Sequence, residues 1–253
     1  MSFAVAATAY DRFMGRYSVP LARPFADFAR IEPGFRALDV GSGPGALTAE
    51  LVTRLGPDAV TAVDPSETFV AAARERHPDV TVVRASAEEL PFADDSFDAT
   101  LAQLVVHFLA DPVAGLRELA RVTRDDGVVA ACVWDHAAGG QGPLVVFWEA
   151  AHEIDPELAD ESDLPGTREG HLAELFEAAE LREIDDTALE VHAVHPTFDD
   201  WWEPFTLGVG PAGDFAAGLD DEQRAELRER CRSKLPEAPF ELTARAWAAR
   251  GRA

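Results

Sequence analysis

The chain has 253 residues, with 46 acidic side chains against 22 lysines and arginines, and its formal net charge is -24 at pH 7. A field of this sign repels phosphate backbones and anionic lipid, which argues against nucleic-acid and membrane partners. No apolar run reaches the ~18 residues that a transmembrane helix needs, and the start of the chain lacks the basic region of a signal peptide. The cysteines and histidines show no metal-ligand spacing. We therefore expect a cytoplasmic protein that forms a single domain over residues 1–253.

Residues 1–30 are predicted to form an N-terminal helical arm. Their apolar side chains share one helical face, and they are Phe13, Tyr17, Leu21, Phe25 and Phe28. Pro20 and Pro24 are expected either to break this segment or to sit in the first turn of a helix. The pattern is typical of a helix that packs on the edge of a sheet.

Residues 37–51 form the stretch around which the rest of the chain is organised. Leu38 and Val40 indicate the end of a buried strand, and leucines at helical spacing follow from position 47. Between them lies a turn that is almost free of side chains, formed by Gly41, Ser42, Gly43 and Gly45. Such a turn lets a ligand approach the backbone where helix N–H groups are unpaired, which predicts a site for a nucleotide-like cofactor.

The spacing of the glycines indicates which cofactor this is. A dinucleotide site has the pattern G-x-G-x-x-G, whereas this turn has G-x-G-x-G and is preceded by Asp39. A carboxylate at that position repels a pyrophosphate and suits a cationic amino group. Asp64 ends the next predicted strand, where a carboxylate can accept both ribose hydroxyls. These features favour S-adenosylmethionine, which carries an amino group, a sulfonium and no phosphate.

Further motifs support a family assignment. Residues 85–98 read ASAEELPFADDSFD, and residues 124–129 read RDDGVV before a predicted strand. With the glycine turn, these blocks resemble class I S-adenosylmethionine-dependent methyltransferases, in the small-molecule group of the ubiquinone and menaquinone biosynthesis enzymes (methyltransferase type 11). The similarity is strong over residues 34–135, is looser before them and is weak from 136 onward.

The alternation of strands and helices predicts an α/β fold, a Rossmann-like three-layer sandwich. Predicted strands that end near residue 40 and cover residues 60–64, 80–83, 99–104 and 128–134 form a mostly parallel sheet of the cofactor-binding core at 34–135. Further strands are predicted at 184–194 and 240–249. The resemblance implies that the last of these seven strands runs antiparallel between the fifth and the sixth. Helices are predicted at 144–152, 168–179 and 220–235.

The resemblance implies a set of cofactor contacts around the carboxyl edge of that sheet. Asp39 and the glycine turn hold the methionine end, Asp64 binds the ribose, and Gln103 lies near the methionine moiety. Ser86 stands where relatives often have an aspartate that contacts the adenine amine. The complete set is Tyr10, Arg16, Asp39, Gly41, Ser42, Gly43, Gly45, Asp64, Pro65, Ser66, Phe69, Ser86, Ala87, Glu88 and Gln103.

Segments 1–30, 136–166 and 197–215 are expected to rise above the same edge and form a lid of helical segments. Aromatic side chains in the lid either form its core or wall the pocket of an apolar or aromatic acceptor, and they are Trp148, Trp201, Trp202 and Phe205. His107 and His136 follow the fourth and fifth strands, so each is a candidate general base. Either histidine has a purely structural interpretation as well.

The sequence therefore predicts methyl transfer by in-line displacement from S-adenosylmethionine to an O, N or C atom of a small metabolite. One alternative is an NAD(P)-dependent oxidoreductase, and another is a regulatory protein that binds S-adenosylmethionine without catalysis. An RNA methyltransferase is disfavoured because the sequence has no basic stripe. A monomer or a homodimer fits the sequence equally well.

Overall fold

The computed structural model describes residues 7–253. A seven-stranded sheet with the order β3-β2-β1-β4-β5-β7-β6 forms its centre. The strands are β1 (Ala37–Val40), β2 (Val60–Asp64), β3 (Thr81–Arg84), β4 (Phe97–Gln103), β5 (Thr123–Trp134), β6 (Arg182–His195) and β7 (Phe240–Arg252).

The first five strands are parallel, and β7 pairs antiparallel with both β5 and β6. The predicted seven-stranded, mostly parallel sheet is therefore confirmed, including the place of the last strand. Because parallel strands end at one edge, the carboxyl ends of β1, β2 and β4 lie side by side, where open α/β sheets bind their ligands.

Helices cover both faces of the sheet. Their bounds are α1 (Ala7–Tyr10), α2 (Arg16–Phe28), α3 (Ala46–Leu55), α4 (Glu67–Arg76), α5 (Pro112–Val122), α6 (Val145–His152), α7 (His171–Ala178), α8 (Phe198–Trp202), α9 (Gly210–Gly218) and α10 (Asp221–Lys234). Alternate residues of β5 face two separate hydrophobic cores. Ala130 belongs to the core on the face covered by α2 and α3, and Val129 belongs to the core on the face covered by α5 and α7. This alternation produces the three layers of the predicted sandwich. Across residues 7–253, no helix is both long and apolar enough to cross a membrane.

The N-terminal arm differs from its prediction in one respect. Helix α2 continues through Pro20 and Pro24, which neither break it nor lie in its first turn. Its inward face buries Leu21 and Phe25 completely. We attribute the unbroken helix to this burial, which opposes the cost of an interior proline. Residues 1–6 of the predicted arm lie outside the described part of the chain.

The last helix begins with a capping box. The carboxylate of Asp220 accepts a hydrogen bond from the backbone N–H of Gln223 at 2.8 Å, and the Gln223 side chain accepts one from the backbone N–H of Asp220 at 3.2 Å. Two backbone donors that the helix itself leaves unpaired are thereby satisfied.

Asp220→Ala is expected to lower the free energy of unfolding by about 1 kcal/mol, because the cap of α10 is lost. Urea denaturation followed by circular dichroism measures this change. Asp163→Ala is the matched control, since Asp163 is exposed and lies in an irregular segment. Equal stability of the two variants would contradict the role of the cap.

Candidate functional site

An open cleft of about 670 Å³ lies at the carboxyl edge of the sheet. This volume is within the usual range of small-molecule sites, roughly 300–1,000 Å³. The loops after β1, β2, β3 and β4 and the arm line it. The lining residues are Tyr10, Gly41, Gly43, Asp64, Pro65, Ser66, Glu67, Thr68, Phe69, Arg84, Ser86, Ala87, Glu88, Gln103, Leu104, Val105, Phe108 and Leu109.

The glycine turn forms one wall of the cleft. Gly41, Gly43 and Gly45 have φ angles of 67°, 53° and 102°, a region that residues other than glycine rarely adopt. A Cβ atom on Gly41 would overlap the side chain of Val105, and one on Gly45 would overlap the ring of His77. The turn therefore requires glycine, and it exposes bare backbone to the cleft.

Asp64 fixes the geometry of two of these loops. Its Oδ2 atom accepts a hydrogen bond from the N–H of Gly43 and its Oδ1 atom accepts one from the N–H of Ser66, each at 2.8 Å. The side chain of Ser66 caps helix α4, as its N-cap position predicts. Burial raises the pKa of Asp64 even though both backbone bonds act to lower it.

Two buried polar atoms near the turn have no hydrogen-bond partner within the described chain. They are the Oδ1 atom of Asp39 and the Oε1 atom of Gln103. The Oδ2 atom of Asp39 accepts the Thr48 hydroxyl at 2.6 Å, and Gln103 donates to the carbonyl of Ser18 at 2.9 Å. Buried polar atoms are rarely left unsatisfied, so this pattern indicates a ligand with hydrogen-bond donors.

The charge of the cleft disfavours phosphate. Asp64, Glu67 and Glu88 line it, whereas Arg84 is the only basic side chain among the lining residues. The guanidinium of Arg84 is exposed and pairs with Glu67 at 3.5 Å. An acidic cleft with a bare backbone turn attracts a cationic ligand and repels a pyrophosphate.

Most of the predicted cofactor residues meet in this cleft. Those that line it are Tyr10, Gly41, Gly43, Asp64, Pro65, Ser66, Phe69, Ser86, Ala87, Glu88 and Gln103. Asp39, Ser42 and Gly45 are not among the lining residues, and they lie in β1 and in the glycine turn.

Arg16 does not reach the cleft and is a correction to the predicted set. Its guanidinium lies 2.8 Å from Oδ2 of Asp200 and 2.9 Å from Nδ1 of His195. Tyr17 bonds the other ring nitrogen of His195 at 3.0 Å. These hydrogen bonds hold the arm against the end of β6 and helix α8. We attribute the wrong prediction for Arg16 to these contacts, which join residues far apart in the sequence.

Other lining residues were missed by sequence reasoning. Val105, Phe108 and Leu109 directly follow β4, so the rule that ligands lie beyond carboxyl ends of strands would have identified them. Glu67 and Thr68 open α4, and Arg84 ends β3. No motif distinguished these positions.

A second, smaller chamber of about 40 Å³ adjoins the cleft and shares the wall formed by Tyr10, Leu104 and Phe108. All three predicted lid segments contribute to it. Its remaining lining residues are Phe13, Met14, His107, Trp134, His136, Leu144, Glu161, Val209, Gly210, Pro211 and Ala212.

The two histidines of the chamber are buried, and each has a ring nitrogen without a hydrogen bond to the described residues. The rings of His107 and His136 lie 6.2 Å apart, and neither Nδ1 atom has a hydrogen-bond partner among residues 7–253. Burial lowers the pKa of His107 well below its usual value and lowers that of His136 to about 4. Both imidazoles are therefore neutral at pH 7, which is the form that accepts a proton.

The predicted acceptor aromatics form a buried cluster outside the chamber lining. Phe147 and Phe205 stack with ring centroids 4.5 Å apart, and Trp201 packs on Phe205 at 4.8 Å. Trp148 and Trp202 also contact Phe147. Of the two interpretations offered by the sequence, these contacts favour the core of the lid.

Part of the chain matches a known protein family. Residues 38–131 match the family described as "Methyltransferase domain". The matched residues run from β1 to β5 and include the glycine turn, Asp64 and the end of β4.

Curated relatives of the methyltransferase domain are similar over part of their length. A demethylmenaquinone methyltransferase of Beutenbergia cavernae is 40% identical over 105 residues, which is 42% of this chain and 43% of the relative. An uncharacterized methyltransferase of Mycobacterium tuberculosis is 39% identical over 136 residues, or 53% of this chain and 52% of the relative. These matches thus span about half the length of the curated relatives.

The fold recurs among solved methyltransferases. Phosphoethanolamine N-methyltransferase 2 of Haemonchus contortus, solved in complex with S-adenosyl-L-methionine, has a TM-score of 0.59 and 18% identity. The alignment covers 97% of this chain and 56% of that protein. At this identity, the likeness concerns the fold of the methyltransferase domain.

Gly41→Ala is expected to lower the free energy of unfolding by about 1–3 kcal/mol, since strain at positive φ is added to overlap with Val105. Gly34→Ala is the control, because Gly34 has a φ of 94° and a Cβ atom added there would meet no other atom within 4 Å. Guanidinium denaturation measures the free energy of unfolding of both variants. The difference between them gives the cost of the overlap with Val105, because both carry the strain of a positive φ. An equal loss in the two would show that the contact with Val105 contributes nothing.

Proposed function

We propose that this chain transfers the methyl group of S-adenosylmethionine to a small molecule. The observation that carries the proposal is the pair of adjoining spaces: an acidic cleft on a bare glycine turn, and a smaller chamber behind Tyr10, Leu104 and Phe108. The match of residues 38–131 to the methyltransferase domain family supports the same activity. The acceptors of the relatives are not carried over, since about half of each relative is matched.

The residues of the cleft fit the chemical groups of this cofactor. The unpartnered Oδ1 of Asp39 and Oε1 of Gln103 suit an ammonium group at the methionine end. Asp64 has lone pairs left for ribose hydroxyls after it accepts its two backbone bonds. Phe69, Ala87 and Leu109 offer apolar surface to an adenine ring.

The bound sulfonium supplies an activated methyl group, so the protein must hold the acceptor in line and exclude water. Tyr10 of the arm packs on Phe69 with ring centroids 5.3 Å apart and so covers the cleft. The neutral imidazoles of His107 and His136 accept hydrogen bonds from the acceptor, and their lowered pKa values make either one a weak general base.

The rival functions fit the residues less well. A pyrophosphate of NAD(P) would meet three acids and one paired arginine in the cleft. A regulatory protein that only binds the cofactor does not require a second chamber with two neutral histidines beside the cofactor cleft. The absence of nucleic-acid partners and a cytoplasmic location remain predictions, the first of which is favoured by the net charge of -24.

Asp64→Ala is expected to weaken S-adenosylmethionine binding by about 1–3 kcal/mol, because a buried acceptor of hydrogen bonds is removed. Isothermal titration calorimetry measures this loss, with the exposed Asp58→Ala as control. NADH is titrated in parallel. Unchanged affinity in Asp64→Ala, or binding of NADH in preference to S-adenosylmethionine, would overturn the assignment.

S-adenosylmethionine affinity is expected to fall as pH decreases below 7. Burial raises the pKa of Asp39 to about 7, and only its ionised form, present above that pH, pairs with an ammonium group. The pKa of Asp64 is raised as well, so protonation of Asp64 also lowers the affinity at low pH. The variant Asp39→Asn therefore isolates the contribution of Asp39. Between pH 7 and 5.5 we expect an affinity loss of about tenfold in the wild type and a clearly smaller one in Asp39→Asn. The same pH profile in both proteins would contradict this role.

A further inference from the structure

Glu161 is a buried acid that has no cation beside it. Its side chain is 3% exposed and lines the chamber. Oε2 accepts a hydrogen bond from Nε1 of Trp148 at 2.9 Å. Within the described residues, that is the only polar contact of the side chain, and no lysine, arginine or histidine pairs with it. Burial raises its pKa to about 7.

An isolated buried carboxyl group costs stability unless something compensates it. Asp160, the preceding residue, adds negative charge and pairs with His152 at 3.7 Å rather than compensating Glu161. The lining of the chamber contains no lysine or arginine. A cationic molecule that enters the chamber would supply this compensation.

The other walls of the chamber suit a positively charged group. Phe13, Phe108 and Trp134 contribute aromatic rings, whose faces attract cations. The neutral imidazoles of His107 and His136 add nitrogen atoms without a formal charge. A methyl acceptor that carries a carboxylate or a phosphate would be repelled by Glu161, since no lysine or arginine among the described residues lines the chamber to neutralise the two negative charges.

We propose that the methyl acceptor is an amine, which enters as an ammonium ion and is held by the carboxylate of Glu161. This assignment rests on the proposed methyltransferase function and specifies its substrate class. Trp148 is a positioning residue, because its indole N–H holds Oε2 of Glu161. The net charge of -24 raises the local concentration of such cations around the protein.

The chemistry of this step balances. The ammonium gives one proton to solvent before the transfer, which leaves a lone pair on nitrogen. That pair forms the new N–C bond as the carbon–sulfur bond breaks, and the methyl donor leaves as a neutral thioether. The product is a methylated ammonium.

The test uses three probes that differ only in their polar group: 2-phenylethylamine, 2-phenylethanol and phenylacetate. Each is titrated by calorimetry into protein saturated with S-adenosylhomocysteine, so that the readout is binding and not turnover. The wild type is expected to bind the amine at least about tenfold more tightly than the alcohol and to bind the carboxylate least.

Glu161→Gln keeps an acceptor for Trp148 and removes the charge. It is expected to lower amine affinity about tenfold and to leave alcohol affinity within about twofold. Glu157→Gln is the matched control, since Glu157 is an exposed acid in the same irregular segment. Glu161→Asp, which keeps the charge, is expected to retain the preference for the amine.

The outcomes separate the two proposals. Failure of the wild type to bind S-adenosylhomocysteine would overturn the proposed function itself. If S-adenosylhomocysteine binds while the alcohol binds as tightly as the amine, the amine assignment alone is wrong. This wild-type comparison holds even if Glu161→Gln does not fold.

Discussion

The buried carboxylate of Asp64 is the contact on which the cleft depends. It joins the N–H of Gly43, in the turn after β1, to the N–H of Ser66, at the start of α4. Both loops line the cleft, so one side chain sets their separation. Because no basic residue pairs with Asp64 in the described chain, its negative charge remains for a ligand to meet.

The N-terminal arm connects this cleft to the rest of the carboxyl edge. Gln103, at the end of β4, donates to the carbonyl of Ser18 in α2, and Tyr10 packs over Phe69. In the same helix, Tyr17 bonds His195 at the end of β6. Residues of the arm thus touch both the central strands and the far edge of the sheet. A shift of the arm would alter the cleft and the chamber together, since Tyr10 belongs to both.

The sequence predicted what depends on local patterns. The five parallel strands and most of the residues that line the cleft were predicted, because periodicity and turn chemistry act over a few residues. The position of β7 came only from the family resemblance. The prediction that Arg16 contacts the cofactor was wrong because the position of Arg16 depends on a residue far away in the sequence: it pairs with Asp200. Glu161 was missed because nothing in its irregular acidic segment shows that it turns inward.

Asp39, Asp64 and Glu161 share one property: burial raises the pKa of each, and none forms an ion pair within residues 7–253. Uncompensated acids destabilise a fold, so their presence in two adjoining spaces indicates cationic ligands in both. In the proposed reaction, positive charge leaves the sulfur and develops on the acceptor nitrogen. A fixed carboxylate in the acceptor chamber then interacts more strongly with the transition state than with the neutral amine that attacks. Glu161 thereby favours transfer as well as binding.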